Sequence, residues 1–318
     1  MPHLPGSSFS TSTIGFGCAS LSAGSSRRHS INLVHAAFDA GICHFDVAPP
    51  YGMGTAEDVL GEALRHRRHE VTIATKVGFS RPRHAWAVMY MRSLAAPLRK
   101  LVPQLTRRVG ASTYRSLTTR PEFDPAFVQR SLTESLRRLR TNHIDLLLLH
   151  EVTIDDLTTD LLECLDRLRR NGAVRSLGTG TSYENTLAIR DAYPGFFDVW
   201  QHSWSVLDTN QRPPVGFTVT HRAIQRALAP LRDRLRSDAH ISRRLSDAIG
   251  IDLTAEHNLG SVLLGAAIAQ NPGGITLVAS RQENRIVANA RLLSDRTFVA
   301  AGQRLIAAMA DEPDLKCA

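Results

Sequence analysis

Long apolar runs are missing from this chain. No stretch offers about 18 uninterrupted apolar residues, and the N-terminal MPHLPGSSFSTSTIGFG has neither a charged leader nor a continuous apolar segment, so a soluble cytoplasmic protein is expected. Cysteine is sparse as well. Cys18, Cys43, Cys164 and Cys317 stand far apart and form no Cys-x-x-Cys pair, which excludes a disulfide scaffold and a zinc knuckle. No His-Glu-x-x-His or Cys/His cluster points to a metal, and no Gly-x-Ser-x-Gly elbow offers a serine nucleophile. The glycine pairs Gly52/Gly54 and Gly178/Gly180 lack the third glycine and the acidic residue of a dinucleotide fingerprint, so a Rossmann site is not expected. Lysine occurs only at Lys76, Lys100 and Lys316, and arginine supplies the rest of the positive charge.

That charge is unevenly spread. The net charge of +8 suggests nucleic-acid binding until its position is considered. Nine basic residues and no carboxylate lie between Ser80 and Pro121, while the remainder carries 29 basic against 30 acidic residues. The body of the protein is therefore close to neutral, and the basic excess belongs to one segment, 80–121, read as an insertion. With 318 residues and 43% hydrophobic content the chain can bury one large core, so a single domain over 1–318 is expected.

Short β-branched or leucine-rich runs alternate with helical patterns, the sequence form of repeated βα units. Eight strands are placed at Thr13–Gly17, Cys43–Asp46, Val71–Lys76, Ile144–His150, Val174–Thr179, Asp198–Gln201, Gly216–Thr220 and Gly274–Ala279. Helical stretches include Ser30–Ala40, Ala56–Arg67, Pro125–Arg140, Leu161–Asn171 and Glu256–Gln270. An eight-fold alternation implies an α/β fold of the (β/α)8 TIM-barrel type. The rhythm breaks at the basic insertion and again between strands six and seven. There SWSVLDTNQRPPV is too short and proline-bearing for a full helix, and after strand seven Arg222–Asp252 gives a long arginine-rich helical segment instead.

In such a barrel the C-terminal strand ends face a common site. Asp46 closes strand two, Lys76 strand three and His150 strand four, and Tyr51 lies five residues past Asp46. Adjacent strands are about 4.8 Å apart, so groups ending three consecutive strands can converge within roughly 10 Å. The set suits carbonyl reduction by a hydride donor, in which the oxygen becomes an alkoxide and needs a proton. An ammonium beside a phenol stabilises the phenolate and makes the phenol a better acid, which Lys76 is expected to do for Tyr51. Asp46 supplies the counter-charge for a partly buried lysine, and His150 can donate to the substrate oxygen, orient it or relay a proton. Singly, each has a bland reading: a turn cap, a loop residue packed on Pro49 and Pro50, a snorkelling strand end and a backbone-bonded histidine. The joint placement at neighbouring strand ends favours chemistry.

The strings FDVAPPYGMGTAEDVLGEAL, ATK at Ala74–Lys76, SLTESLRRLRTNHIDLLLLH and VRSLGTGTS resemble the aldo-keto reductase superfamily. The likeness runs from about Ile14 to Leu293, omitting the insertion, and APPYG with GCASL is most similar to bacterial aldose 1-dehydrogenase-like members. The resemblance implies a barrel enzyme that uses NADP(H), with Asp46, Tyr51, Lys76 and His150 as its catalytic tetrad. It places Gln201 on the nicotinamide carboxamide, Ser280 and Arg285 on the adenosine phosphate, Asn289 on the adenine, and Arg281 as a further cation. Gly17, Thr181 and Arg222 are counted with the cofactor site. Two arginines favour the 2′-phosphate of NADP over a bare ribose, since cations near a helix N-terminus are unfavourable unless an anion is present.

Several positions depart from the pattern. Gly180 and Thr181 stand where relatives have Ser-Asn, His221 and Arg222 where an aromatic ring stacks on the nicotinamide, and Ala288 where a glutamate accepts from the adenine amine. The expected function is interconversion of an aldehyde or ketone, sugars included, with its alcohol. The alternative is a catalytically weak nucleotide-binding sensor or scaffold on the same barrel. The expected partner is a small carbonyl or alcohol, not nucleic acid. For 81–120 three readings stay open: a lid with Phe79, Trp86 and Trp204 as a substrate wall, a contact with an anionic membrane or nucleic acid, or a helical excursion with solvated arginines.

Overall fold

The computed structural model describes residues 1–6, 10–21, 26–82, 120–208 and 211–311. All eight strand runs become strands of one sheet: β1 Ile14–Gly17, β2 His44–Asp46, β3 Thr72–Val77, β4 Ile144–His150, β5 Val174–Gly180, β6 Val199–Ser203, β7 Phe217–His221 and β8 Ile275–Val278. Every neighbouring pair is parallel, and β8 pairs back onto β1 to close the barrel. The register places Asp46 opposite Ala74, Lys76 opposite Leu148, and His150 opposite Gly180, itself opposite Gln201. Side chains alternate across a strand. Ala74 and Lys76 therefore share the lumen face with Leu148, His150 and Gln201, and Thr75 points to the helices outside.

Helices α1 (Arg27–Asp39), α2 (Tyr51–Gly54), α3 (Ala56–Ala63), α4 (Pro125–Leu139), α5 (Thr159–Arg170), α6 (Tyr183–Ala192), α7 (Ala223–Ser237), α8 (Ala239–Ile249), α9 (Glu256–Gln270), α10 (Glu283–Ala290) and α11 (Thr297–Asp311) surround the sheet. Their starts are set by short polar caps. Asp124 accepts from the Ala126 and Phe127 amides ahead of Pro125, while Thr158 and Ser182 cap α5 and α6. Among the described residues no helix lies between β6 and β7, as the proline-bearing stretch requires.

Several helix bounds differ from expectation, and two places are informative. The helix from Ala56 ends at Ala63 instead of Arg67, because the chain turns so that Arg68 can reach the Val71 and His143 carbonyls and, at 2.7 Å, the fully buried Asp145. The helical segment 222–252 consists of two helices. Asp238 adopts an extended backbone between them, and its carboxylate accepts from the His240 and Ile241 amides to start α8.

Apolar side chains fill three regions. One lies between sheet and helices, a second is built around Trp204 and helices α7, α8, α9 and α11, and a third fills the lumen with Ala74, Leu146, Leu148, Val199, Val219 and Ile275. Leu4 belongs to the lumen group and is fully buried. The Pro5 carbonyl accepts from Ser176 Oγ and the Pro2 carbonyl from the Thr11 amide, so the first residues of the chain stopper the barrel at the end away from the tetrad. No helix among the described residues is long and apolar enough to cross a membrane.

Candidate active site

The strand ends gather the four residues around one cleft. Lys76 is 2% exposed, and its Nζ lies 2.5 Å from Asp46 Oδ2, which also accepts from Gln201 Nε2 at 2.8 Å. Burial alone would push the Asp46 carboxyl up. The Lys76 ammonium and the Lys76 and Gln201 hydrogen bonds outweigh it and hold the group below the usual carboxylate range. Lys76 Nζ also sits 5.8 Å from the centroid of the Tyr51 ring, within cation–π range.

Tyr51 starts α2, whose next three residues, Gly52, Met53 and Gly54, all have positive φ. That left-handed run turns the chain sharply back. At Gly52 any Cβ would be driven into the Leu21 carbonyl, so only glycine allows the loop to hold Tyr51 over the strand ends. His150 is packed edge-on between Tyr51, with centroids 6.2 Å apart, and Phe79, 5.0 Å apart. Burial, reinforced by the Lys76 charge, pushes the imidazole down to about 3, so His150 is neutral across the physiological range. Its Nδ1 is buried without a hydrogen-bond partner among the described residues.

The cleft measures about 1100 Å³ and extends from the tetrad between α7 and α9 to α10. Every catalytic and cofactor candidate from the sequence lines it: Asp46, Tyr51, Lys76 and His150, with Gln201 beside Asp46, then Gly17, Thr181 and Arg222, and Ser280, Arg281, Arg285 and Asn289; Phe79, offered as a substrate wall, is not among the lining residues. Gly180 acquires a physical reason, since a Cβ there would lie 3.1 Å from Gln201 Oε1. The bare glycine leaves room for the glutamine that braces Asp46. Arg222 takes a left-handed conformation (φ 65°) at the start of α7, and His221 beside it is pushed down to about 3, by burial first and by Arg222 next.

Other sequence expectations fall elsewhere. Trp204 is 2% exposed and packs among α7 and α9 side chains without lining the cleft, because the residue after β6 turns out of the lumen into the helix layer. It is no part of a substrate wall. Trp86 and the segment 83–119 lie outside the described residues. The sequence reading passed over Glu151, Glu256 and His257, which also line the cleft. Glu151 follows His150 with a left-handed backbone (φ 57°), which no motif signals; the two α9 residues could have been found from the helix start at Glu256. Among the described residues no cluster could hold a metal ion.

A model of the Aldo/keto reductase family matches residues 13–218, about two thirds of the chain and all four tetrad positions. The chain belongs to the Aldo/keto reductase family. Within that family the chain is 24% identical over 314 residues to the uncharacterized oxidoreductase YqkF of Bacillus subtilis (strain 168), covering 91% of each protein. It is 31% identical over 173 residues to D-threo-aldose 1-dehydrogenase of Pseudomonas sp, covering 50% of this chain and 46% of that protein. In structure it resembles an aldo-keto reductase from Klebsiella pneumoniae in complex with NADPH, with a TM-score of 0.64 at 20% identity, covering 92% of this chain and 89% of the other. The family is thus shown by the sequence match, and the closed eight-stranded barrel by the fold. The adenosine-phosphate candidates from Ser280 to Asn289 lie beyond the matched residues.

Proposed function

We propose that this chain interconverts an aldehyde or ketone with its alcohol by hydride transfer, using NADP(H), with Tyr51 as general acid and base. The observation that carries the reading is the buried Lys76 ammonium, paired with Asp46 and placed beside the Tyr51 ring.

The residues fit a dinucleotide phosphate. The cleft joins the tetrad to Arg281 and Arg285, and among the described residues neither guanidinium has an ion-pair partner, although both stand at the start of α10. Two unpaired cations at a helix N-terminus suit a phosphate, and guanidinium pairs with it in a bidentate manner. Ser280 and Asn289 flank them in the same arm of the cleft. At the other end Gln201 donates Nε2 to Asp46, which leaves Oε1 to accept from a carboxamide. Thr181, Gly17 and Arg222 line the path between. When bound, NADPH supplies the hydride.

The chain's own groups manage the proton. The Tyr51 phenol donates to the carbonyl oxygen as negative charge develops there. Lys76 stabilises the phenolate left behind, and Asp46 keeps the lysine charged in a dry site. Neutral His150 orients the substrate oxygen by hydrogen bonding, and Phe79 fixes the plane of its ring. In the oxidative direction the same phenolate takes the proton from the alcohol. The partial likeness to an aldose dehydrogenase motivates sugars in the substrate panel.

The test is Tyr51→Phe. NADPH binding, followed by cofactor fluorescence, is expected to persist, while turnover of an aldehyde panel falls by about 10²- to 10⁴-fold. An unaltered rate would sink the mechanism. Wild-type protein that binds NADPH but transfers no hydride to any aldehyde or ketone would favour a nucleotide sensor instead.

A further inference from the structure

A buried carboxylate outside the tetrad joins the two segments that carry its phenol and its ammonium. Glu57, in the first turn of α3, is 1% exposed, and its side chain faces the sheet. Its Oε1 accepts from Thr75 Oγ1 at 2.8 Å, and its Oε2 is ion-paired with Arg81. The same Arg81 Nη2 donates to Ser135 Oγ on α4 at 3.3 Å. Thr75 immediately precedes Lys76, and strand alternation sends the threonine outward and the lysine into the lumen. Glu57 follows Tyr51 by six residues, across the left-handed turn and Thr55.

Stability alone is a poor reason for such a group. Burying a carboxylate and a guanidinium costs desolvation that their attraction only offsets, and apolar side chains of equal volume often do better. What an ion pair with two further hydrogen bonds provides is direction: each partner fits in one geometry. Arg81 opens the basic stretch that the sequence allowed to be solvated, yet its side chain is 16% exposed and fixed on Glu57.

We infer that Glu57 is a positioning residue, held by Thr75 and Arg81, that sets the spacing between the Tyr51 phenol and the Lys76 ammonium. This rests on the proposed role of Tyr51. Loosening the pin moves the ammonium away from the phenol, stabilises the phenolate less and makes the phenol a weaker acid. In carbonyl reduction, activity is lost as pH rises through the deprotonation of that phenol. The alkaline limb of the kcat profile should therefore move upward, while the distant phosphate contacts are untouched.

The experiment compares wild type, Glu57→Gln, Thr75→Val, Arg81→Lys and Tyr51→Phe, with D-glyceraldehyde or methylglyoxal as substrate, whichever the wild type turns over faster. Glu57→Gln should lower kcat by about 10- to 100-fold, as a misplacement near 1 Å does. It should raise the alkaline limb by about one pH unit, a tenfold change in acid strength, and leave the Kd for NADPH within about twofold. Thr75→Val should move the limb the same way by less, and Arg81→Lys, which keeps the charge, should restore most of the profile. If Glu57→Gln fails to fold, Thr75→Val reads the same limb. A limb that stays in place in the folded variants, whatever happens to their melting temperature, overturns the inference. A wild type without an alkaline limb, or an active Tyr51→Phe, would defeat the reading of Tyr51 first. A normal wild-type limb with inactive Tyr51→Phe and unmoved Glu57→Gln defeats only the positioning role.

Discussion

Replacing Asp46 by asparagine keeps the shape of the side chain and removes its charge. The perturbed pair is tight: Nζ to Oδ2 is 2.5 Å, with side-chain exposures of 2% and 4%. At an effective dielectric of about 20, opposite charges at that distance attract by about 6 to 7 kcal/mol, most of which offsets desolvation. Removing one partner strands the other, at a cost of about 3 to 5 kcal/mol. For 318 residues, an unfolding entropy of about 2.1 cal/mol/K per residue converts this to a melting temperature lowered by about 4 to 8 °C. Melting curves of both proteins at neutral pH and below about pH 4 test this. In the wild type the carboxyl lies below its ordinary range, so the contribution of the pair is complete above about pH 4 and fades only at more acidic pH. A melting difference under about 1 °C at neutral pH, or one that does not narrow below about pH 4, refutes Asp46 as the counter-charge.

The histidine and the phosphate end give two further expectations. His150 is pushed down to about 3, so its ring resonances should not titrate between pH 5 and 8. The unfolded chain takes up this proton near pH 6.5 and the folded chain does not, so His150 lowers stability progressively as pH falls below about 6.5; a titration midpoint near 6 contradicts the buried neutral imidazole. Arg285→Ala should weaken NADPH by about 10- to 100-fold, the value of a hydrogen bond to a charged group, and leave NADH almost unchanged. Equal losses for both would show that the guanidinium does not recognise the phosphate.

The strands were readable because each is a short apolar run bounded by turn residues, and the tetrad was readable because strand ends in a barrel have only one place to meet. Asp46, Lys76 and His150 needed only the alternation to share a rim. Tyr51 needed more, since the phenol reaches the site through a left-handed turn that is visible in the sequence only as Tyr-Gly-Met-Gly. Other features were hidden for definite reasons. The split at Asp238 depends on one backbone angle inside an otherwise continuous helical pattern. Trp204 looked available because an aromatic after a strand end can face either way, and neighbours from α7 and α9, distant in sequence, decide which. The Glu57 network joins a helix, a strand and the loop after it through residues 18 and 24 positions apart, and no local pattern marks it.

Leu4 and Pro5 occupy the far mouth of the barrel, below the Ala74 and Leu148 layer that borders Asp46 and Lys76 in the register. The strength of an ion pair depends on how little water reaches it from any side, and the cleft controls only one side. Deleting the first five residues would hydrate the lumen from beneath without touching a single cleft residue. The N-terminal tip is therefore expected to act as insulation for the Asp46–Lys76 pair, keeping water from it at the bottom of the barrel.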